Sequence, residues 1–511
     1  MTFESILFED ARLADEVDSA SEPEFFGDLN LDQMVDSIIR GRDEYNLKPF
    51  FYVALTDVDS IGYRHEIMRD LERSEVAAAI YAFSAQMRAM RAELAMAMKL
   101  HYRWQKQRYF LDGVQTYCTA IVAFARDLEG AAPRSHGLAA FLDYLKAYEQ
   151  GREFVALKEG ESRMRGALDL VRYSILIKGN SVTVRRYADE IDYSEDVQKT
   201  FEKFKQGKVK SHSTDMRESP DMNHVEANVL DFVARLHPEV FMPLDEYCRS
   251  HGDFIDRMVE RFDREIQFYA AYLEHMARIK ETGLSFCYPA VSGESKDICS
   301  VAGFDLALAE KLRRENGHIV CNDFYLKGDE RIIVVTGPNQ GGKTTFSRTF
   351  GQLHYLAAIG WPVPGREARL YLFDQIFTHF ERQEDMKNLR GKLHDDLFRI
   401  HRILGRASTR SIIIMNEIFS STSLKDALYL SQKVMRRVMD LDALCVYVTF
   451  IEELSSLSVQ TVSMLSEVVP DAVITRTFKV VRRPADGRSY ALSLAGQYRL
   501  KYEQLRERIG S

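Results

Sequence analysis

Hydrophobic residues recur at intervals of three and four in two long stretches of the chain. This spacing predicts two long amphipathic helices, because residues three and four apart share one face of an α-helix. The first stripe contains Val76, Ile80, Phe83, Met87, Met90, Leu94 and Met98. The second contains Ile255, Met258, Phe262, Ile266, Tyr269, Leu273 and Met276. We interpret the first stripe as part of a helix-bundle core and not as a methionine-lined ligand groove, because methionine commonly fills gaps in cores.

A different pattern lies between these two stripes. Residues 173–187 (YSILIKGNSVTVRRY) contain two β-branched runs on either side of Gly179-Asn180, which predicts a β-hairpin. Residues 206–223 are polar and contain Gly207 and Pro220, which predicts a mobile loop. The layout suggests paired helical levers that carry a small β-containing tip.

From about residue 300 the pattern changes to short apolar runs separated by helical segments. The runs at 331–336 (RIIVVT), 411–415 (SIIIM) and 444–449 (LCVYVT) predict buried parallel strands. A further strand is predicted at 473–480, before a basic, helical C-terminal tail. This part of the chain is therefore predicted to be an α/β domain.

Length and composition limit the class of protein. A chain of 511 residues is too long for one compact core, so we expect two to four domains. There is no apolar run long enough to span a membrane, and the acidic start is unlike a signal peptide. The six cysteines are scattered, which favours reduced thiols in a cytosolic compartment. A net charge of −8 argues against a protein that is basic all over but leaves room for a local basic patch.

The N-terminal residues carry a strong negative charge. Residues 1–36 contain eleven acidic residues and one basic residue, Arg12. Such a composition favours solvation over packing, so we expect this segment to be partly ordered at best. Leu29, Leu31 and Met34 are its candidates for docking on a core.

The strongest local motif is GPNQGGKT at 337–344, which satisfies the phosphate-loop pattern GxxxxGK[ST]. A β-branched strand precedes it and a helical segment, 345–357, follows it. Backbone N–H groups of such a loop converge on phosphate oxygens, Lys343 would reach the β- and γ-phosphates, and the Thr344 hydroxyl would bind Mg²⁺. The predicted ATP-binding residues are Gly337, Pro338, Asn339, Gln340, Gly341, Gly342, Lys343, Thr344 and Thr345.

A hydrolytic phosphate-loop site also needs a carboxylate at the end of a neighbouring strand. The run at 411–415 is followed by Asn416 and Glu417, so Glu417 is the predicted general base, with Lys343 as the second catalytic residue. Asn416 and Thr344 are the predicted Mg²⁺ residues, Asn416 acting through a bound water. An amide carries no negative charge, so the affinity for Mg²⁺ is expected to be lower.

These residues resemble the MutS family of DNA mismatch repair ATPases. TGPNQGGKTT (336–345) is similar to the family's TGPNxGGKST, and NEIFSSTSLKDAL (416–428) to DEIGRGTSxxDGL. YVTFIEEL (447–454) is similar to FATHYxEL, and SYALSLA (489–495) more weakly to SYGxxVA. Asn322-Asp323 resembles the family's Asn-Asp near the adenine site. The order and spacing of these motifs agree over about 200 residues.

The resemblance implies a multidomain protein with a mainly α-helical core and lever region, a small β-containing clamp-like tip, and a C-terminal α/β P-loop ATPase domain of the ABC type. The expected segments are an acidic segment 1–48, core and first lever 49–172, tip 173–222, second lever 223–299, and ATPase domain with helical tail 300–511. The family implies a homodimer that encircles DNA, using ATP and Mg²⁺. We expect a cytoplasmic protein, nucleoid-associated if bacterial, with downstream repair proteins as partners.

Several positions depart from the family pattern. We expect a shortened relative without the N-terminal mismatch-recognition and connector domains, because only about 50 residues precede the core and no GxFYE-like motif occurs. Asn416 replaces an Asp and Phe450 replaces a His. Phe419-Ser420-Ser421 replaces Gly-Arg-Gly, and Gly391 or Lys392 falls where a signature Ser would act across the dimer. We expect these changes to preserve nucleotide binding and to slow hydrolysis.

The tip supplies the predicted DNA contacts. Its cations would neutralise phosphates of duplex or branched DNA without reading sequence. They are Lys178, Arg185, Arg186, Lys203, Lys205, Lys208 and Lys210. The alternative interpretation is a solvated charged loop. We therefore predict a MutS-type, ATP-dependent DNA-binding protein of repair or recombination. Two alternatives stay open: a nucleotide-gated scaffold with little turnover, and a P-loop ATPase directed at RNA or ribosomes.

Overall fold

The structure is a computed structural model that describes residues 3–9, 16–179, 181–188, 222–380, 391–468, 476–484, 502, 505 and 506. The chain forms two compact units. One comprises Met1–Phe3, Arg73–Pro133 and Leu138–Asp263, and the other Glu4–Glu72, Arg134–Gly137 and Arg264–Ser511. Residues 4–72 are thus grouped with the C-terminal half of the chain.

The described residues contain both long helices and short strands. The helices are α1 (Leu31–Ile38), α2 (Lys48–Tyr52), α3 (Val58–Leu71), α4 (Ser74–Lys99), α5 (Arg103–Ala131), α6 (His136–Glu149), α7 (Arg152–Asp169), α8 (His224–Leu236), α9 (Pro238–Ser250), α10 (Arg257–Lys280), α11 (Leu306–Arg314), α12 (Lys343–Ala358), α13 (Lys392–Arg406) and α14 (Leu424–Asp440). The strands are β1 (Tyr173–Lys178), β2 (Ser181–Arg186), β3 (Phe286–Cys287), β4 (Ala290–Ser292), β5 (Ile298–Gly303), β6 (Asn322–Leu326), β7 (Ile332–Thr336), β8 (Val363–Pro364), β9 (Glu367–Tyr371), β10 (Ile376–Phe380), β11 (Ile412–Asn416), β12 (Leu444–Val448), β13 (Thr461–Val468) and β14 (Arg476–Arg482). Within these ranges no helix is both long and apolar enough to cross a membrane.

The first unit is built on the helical hairpin α4–α5. The predicted stripe on α4 is buried from Val76 to Met90, which confirms that it belongs to a core. Met98, at the end of the stripe, is 78% exposed, so the seam does not extend over the whole helix. Phe83 of α4 stacks on Phe124 of α5 with ring centroids 4.3 Å apart. The second predicted stripe also forms a helix, α10, in which Phe262 is fully buried.

The predicted β-hairpin is confirmed. Strands β1 and β2 pair antiparallel, and Lys178 is opposite Ser181 across the turn. Because side chains alternate along a strand, the register separates two faces. One face carries the apolar set Tyr173, Ile175, Ile177, Val182 and Val184 together with Arg186, and the other carries Lys178 and Arg185.

The second unit contains a six-stranded sheet with the order β10-β11-β12-β7-β13-β14. The first five strands are parallel, and β14 is antiparallel to β13. The predicted strands at 331–336, 411–415 and 444–449 correspond to β7, β11 and β12. One expectation was wrong: the strand that precedes Glu417 is not the immediate neighbour of β7, because β12 lies between them. Helix α12 follows β7 and is buried along most of its length.

The structure describes residues 3–9 and 16–36 of the acidic N-terminal segment, and the predicted docking residues Leu29, Leu31 and Met34 are buried. Residues 28–55 lie along α12. The Arg348 Nε donates to the Asp28 carbonyl at 2.9 Å, and the Gln352 Nε2 donates to the Leu29 carbonyl at 2.9 Å. Leu29 is fully buried, as docking on a core requires. The acidic side chains do not oppose this packing because several are paired, as Asp18 is with Arg264.

Candidate nucleotide site

The loop at 337–342 has a backbone that few residues other than glycine adopt. Gly337 and Gly342 have φ of 123° and 92°, and Gln340 has φ of 59°. Strand β13 holds the loop in place, because the Ser466 hydroxyl donates to the Gly341 carbonyl at 2.6 Å. A Cβ at Gly341 would overlap the Ser466 Oγ, so this glycine is required by close approach of the strand.

Lys343 lies at the first turn of α12 with only 3% of its side chain exposed. Its Nζ donates to the Gly337 carbonyl at 2.9 Å and is 3.6 Å from Glu417 Oε1. The same Nζ is 4.3 Å from the centre of the Phe450 ring, which is within cation–π range. The predicted catalytic pair, Lys343 and Glu417, is therefore brought together, and Phe450 contacts the same ammonium group.

The two predicted Mg²⁺ residues also meet. The Thr344 Oγ1 donates to the Asn416 Oδ1 at 3.1 Å. Mg²⁺ prefers oxygen ligands and commonly keeps several waters, so a hydroxyl and an amide carbonyl at this separation fit the ion. Neither oxygen carries a charge, in contrast to a site with a carboxylate at position 416.

A cavity of about 480 Å³ opens beside the loop. Its volume falls in the range of small-molecule and cofactor sites. Its apolar lining residues are Leu308, Leu312, Ile319, Val320 and Phe478, and the rest of its lining comprises Asp305, His318, Asn322, Gln340, Gly342, Lys343, Thr344, Thr345, Thr349 and Glu417. The lining thus combines polar groups of the phosphate loop with apolar side chains from other elements.

Two polar side chains of this cavity, Asn322 and Asp305, form hydrogen bonds with other residues of the chain. Asn322 donates from Nδ2 to the Phe478 carbonyl at 3.2 Å and accepts from the Val480 N–H at 2.7 Å, so it ties β6 to β14. Burial raises the pKa of Asp305, although hydrogen bonds from the Leu308 N–H and the Gln352 side chain act in the opposite direction. Both residues support the walls of the cavity.

The apolar wall was missed in the sequence analysis. Leu308 and Leu312 are four positions apart on α11 and therefore share a face, but no motif connects them to the phosphate loop 25 or more positions later. Phe478 has φ of 54° and is 48% exposed beside Gly342. Spacing within α11 was the only available signal, and it did not identify what the face contacts.

The predicted DNA-binding residues fall into three groups. Lys178 and Arg185 are exposed on the same face of the hairpin. Arg186 lies on the opposite face, where its Nε donates to the Leu236 carbonyl at 2.8 Å and its guanidinium pairs with Glu239. Lys203, Lys205, Lys208 and Lys210 lie outside the described residues.

Similarity to known proteins agrees with these motifs. A family model described as MutS domain V matches residues 333–500, which include the phosphate loop, Asn416 and Glu417. The DNA mismatch repair protein MutS of Shouchella clausii is 28% identical over 288 residues, which cover 54% of this chain and 32% of that protein. The chain is a relative of the MutS family.

Other MutS proteins match a similar or smaller part of the chain. The MutS of Thermotoga maritima is 25% identical over 287 residues, covering 54% of this chain and 34% of that protein. The MutS of Halalkalibacterium halodurans is 31% identical over 185 residues, covering 35% of this chain and 21% of that protein. The chain thus spans about a third or less of the length of these MutS relatives.

Proposed function

We propose that this chain is a MutS-type, ATP-dependent DNA-binding protein of DNA repair or recombination. In this proposal ATP and Mg²⁺ bind in the cavity beside the phosphate loop, and binding and hydrolysis gate a homodimeric clamp on duplex or branched DNA. The observation that carries the proposal is the meeting of Lys343 with Glu417, and of Thr344 with Asn416, beside a cavity lined by both polar and apolar side chains.

Each of these side chains has a defined role in the proposed reaction. Lys343 stabilises negative charge on the β- and γ-phosphates, and loop N–H groups with the α12 N-terminus add partial positive charge. Glu417 accepts a proton from the water that attacks the γ-phosphate. Thr344 and Asn416 would hold Mg²⁺, which neutralises phosphate charge when bound. The apolar wall with Leu308 and Phe478 provides a surface for the base.

The test is steady-state ATP turnover with and without homoduplex, mismatched and branched DNA and with RNA. Turnover by the wild type should exceed that of Lys343→Ala, and Glu417→Gln should lower it by roughly 10²- to 10⁴-fold, the usual contribution of a general base. At least one DNA structure should change turnover several-fold. Wild-type turnover equal to that of Lys343→Ala, or a response to RNA alone, would contradict the proposal.

A second candidate function is a nucleotide-gated scaffold that binds ATP and hardly hydrolyses it. Two observations favour it: Asn416 presents a neutral amide to Thr344, and Phe450 packs on the Lys343 ammonium where the family has a histidine. In this case ATP binds measurably, while the turnover of both the wild type and Glu417→Gln stays at the level of Lys343→Ala. Equilibrium ATP binding combined with the turnover assay separates the two functions.

The DNA-binding part of the proposal has its own test on described residues. Lys178→Glu/Arg185→Glu should weaken DNA binding and reduce the slope of log K against log salt by about one to two units, since each phosphate contact contributes about 0.9. The matched control is Lys158→Glu/Arg163→Glu, which makes the same charge change at exposed positions of α7 in the same unit. Equal losses in both double variants would show a general charge effect and refute contact by the hairpin face.

A further inference from the structure

The loop that follows Glu417 has an unfavourable backbone. Glu417 and Phe419 have φ of 54° and 62°, values that L-residues with large side chains seldom adopt. Residues in this conformation are strained and persist only where their surroundings hold them. Phe419 replaces the first glycine of the family's Gly-Arg-Gly. A glycine would adopt this positive φ without steric strain, whereas phenylalanine does not.

Two contacts hold Phe419 in this conformation. Its side chain is 1% exposed and belongs to a hydrophobic cluster that includes Phe377 and Ile451. Its backbone N–H, which belongs to neither a helix nor a strand, donates to the Asp396 Oδ2 at 3.4 Å. Asp396 comes from α13, so a carboxylate on another element fixes the backbone two residues after Glu417.

Asp396 is itself fixed by a buried histidine. The His379 Nε2–H donates to the Asp396 Oδ1 at 2.9 Å, and the His379 side chain is only 2% exposed. His379 lies on β10 opposite Met415 of β11, the strand that leads to Glu417. The two oxygens of one carboxylate therefore connect the edge strand of the sheet to the loop after Glu417.

We propose that His379 and Asp396 are positioning residues for Glu417, holding the strained 417–419 loop so that the Glu417 carboxylate stays directed at the phosphate loop. This inference rests on the proposed ATPase function. Displacement of a reacting group by about 1 Å costs on the order of 10²-fold in rate. Removing the anchor would free the strained loop to move, and a shift of this size would lower turnover accordingly.

The test compares four variants of the full chain by kcat, KM for ATP and amide hydrogen exchange of residues 417–423. Asp396→Ala should lower kcat roughly ten- to hundredfold, with KM within about threefold of wild type, and should speed exchange of the loop. Asp396→Asn should keep kcat within about threefold, because its amide oxygen still accepts from the Phe419 N–H. His379→Phe preserves a buried ring and should give an intermediate loss of kcat.

The matched control is Asp374→Ala. Asp374 accepts hydrogen bonds from Ser411 (2.9 Å) and Ser408 just before β10 and β11 begin, at the opposite end of the same two strands. This variant should keep both kcat and the exchange rate of residues 417–423. If Asp396→Ala does not fold, the inference is tested by comparing kcat and loop exchange of His379→Phe with those of Asp396→Asn.

The outcomes separate this inference from the proposed function. Wild-type kcat and wild-type loop exchange in Asp396→Ala would overturn the inference, as would equal effects of Asp374→Ala. If wild-type turnover proves independent of Glu417, the ATPase proposal fails, and hydrogen exchange alone then decides: faster exchange of 417–423 in Asp396→Ala than in Asp374→Ala supports the anchor, and equal exchange refutes it.

Discussion

The contact between the N-terminal segment and the phosphate-loop helix makes a quantitative prediction. Gly351 lies in the middle of α12, and a Cβ built on it would be 2.7 Å and 2.9 Å from the two methyl carbons of Leu29 and 2.8 Å from the Ile414 Cδ1. Replacing a helical glycine by alanine ordinarily stabilises by about 1 kcal/mol. Here the overlap should cost about 1–3 kcal/mol, so Gly351→Ala is expected to destabilise by up to about 2 kcal/mol.

The partner substitution should reduce this penalty. Leu29 is fully buried, so Leu29→Ala alone should cost about 2–5 kcal/mol. It also removes two of the three atoms that a Cβ at Gly351 would meet. In the Leu29→Ala background the cost of Gly351→Ala should therefore fall by about 1–2 kcal/mol, which is a coupling energy well above the usual error of additivity, about 0.5 kcal/mol.

Urea denaturation followed by tryptophan fluorescence measures this coupling. The chain has two tryptophans, and in a Trp104→Phe background the signal comes from Trp361, which is buried in the same unit as Gly351. The control is Gly62→Ala on α3, where a Cβ would meet nothing within 4 Å and a stabilisation of about 0.5–1 kcal/mol is expected. Additive effects of Leu29→Ala and Gly351→Ala within about 0.5 kcal/mol would refute the docking of the N-terminal segment on α12.

Three further predictions concern the phosphate loop and its helix. Gly341→Ala should weaken ATP binding by roughly 10- to 100-fold, measured by equilibrium titration, and Ser466→Ala in the same chain should restore part of it by removing the overlapping hydroxyl. Asn416→Asp should lower the Mg²⁺ concentration for half-maximal ATP binding by about 20-fold, since a carboxylate about 4.5 Å from a divalent ion contributes about 1.8 kcal/mol even in the dielectric of water. Burial lowers the pKa of His354 to about 4 from 6.5, so it stays neutral in the folded state and its contribution to stability is lost as pH falls through that interval. His354→Gln should therefore show a shallower fall in the urea midpoint between pH 6.5 and 4, and equal slopes would contradict this account.

The sequence was sufficient for features that depend on local spacing. The strand, loop and helix around Lys343 follow from β-branched residues, glycines and helical periodicity within 27 positions, and the structure contains them. Glu417 was identified because a polar pair follows a buried run. Its distance from Lys343 could not be predicted, because it depends on β12 lying between β7 and β11.

Features that depend on distant pairs were not predictable in the same way. The charge of residues 1–36 predicted a segment that is partly ordered at best; Leu29 was a predicted docking residue, but Phe8 was not, and it is buried as well. Net charge describes the average residue, whereas docking depends on where the apolar side chains meet a complementary surface. The contact of His379 with Asp396 is similar, since neither residue lies in a motif and only the fold brings α13 to the edge strand.

The departures from the family motif at Asn416 and Phe450 both reduce charge or hydrogen bonding beside the phosphate loop. Asn416 removes a negative charge beside Thr344, and Phe450 replaces a hydrogen-bonding ring with one that attracts the Lys343 ammonium through its π-face. Neither change removes a group that binds phosphate, because the loop backbone and Lys343 are intact. In the proposed ATPase, one change removes a charge and the other a hydrogen-bonding group from the place where charge develops during hydrolysis, so we expect both to affect turnover more than phosphate binding by the loop. Glu417 is then the residue on which the two proposed functions differ, because only an ATPase requires its carboxylate to be held in one place.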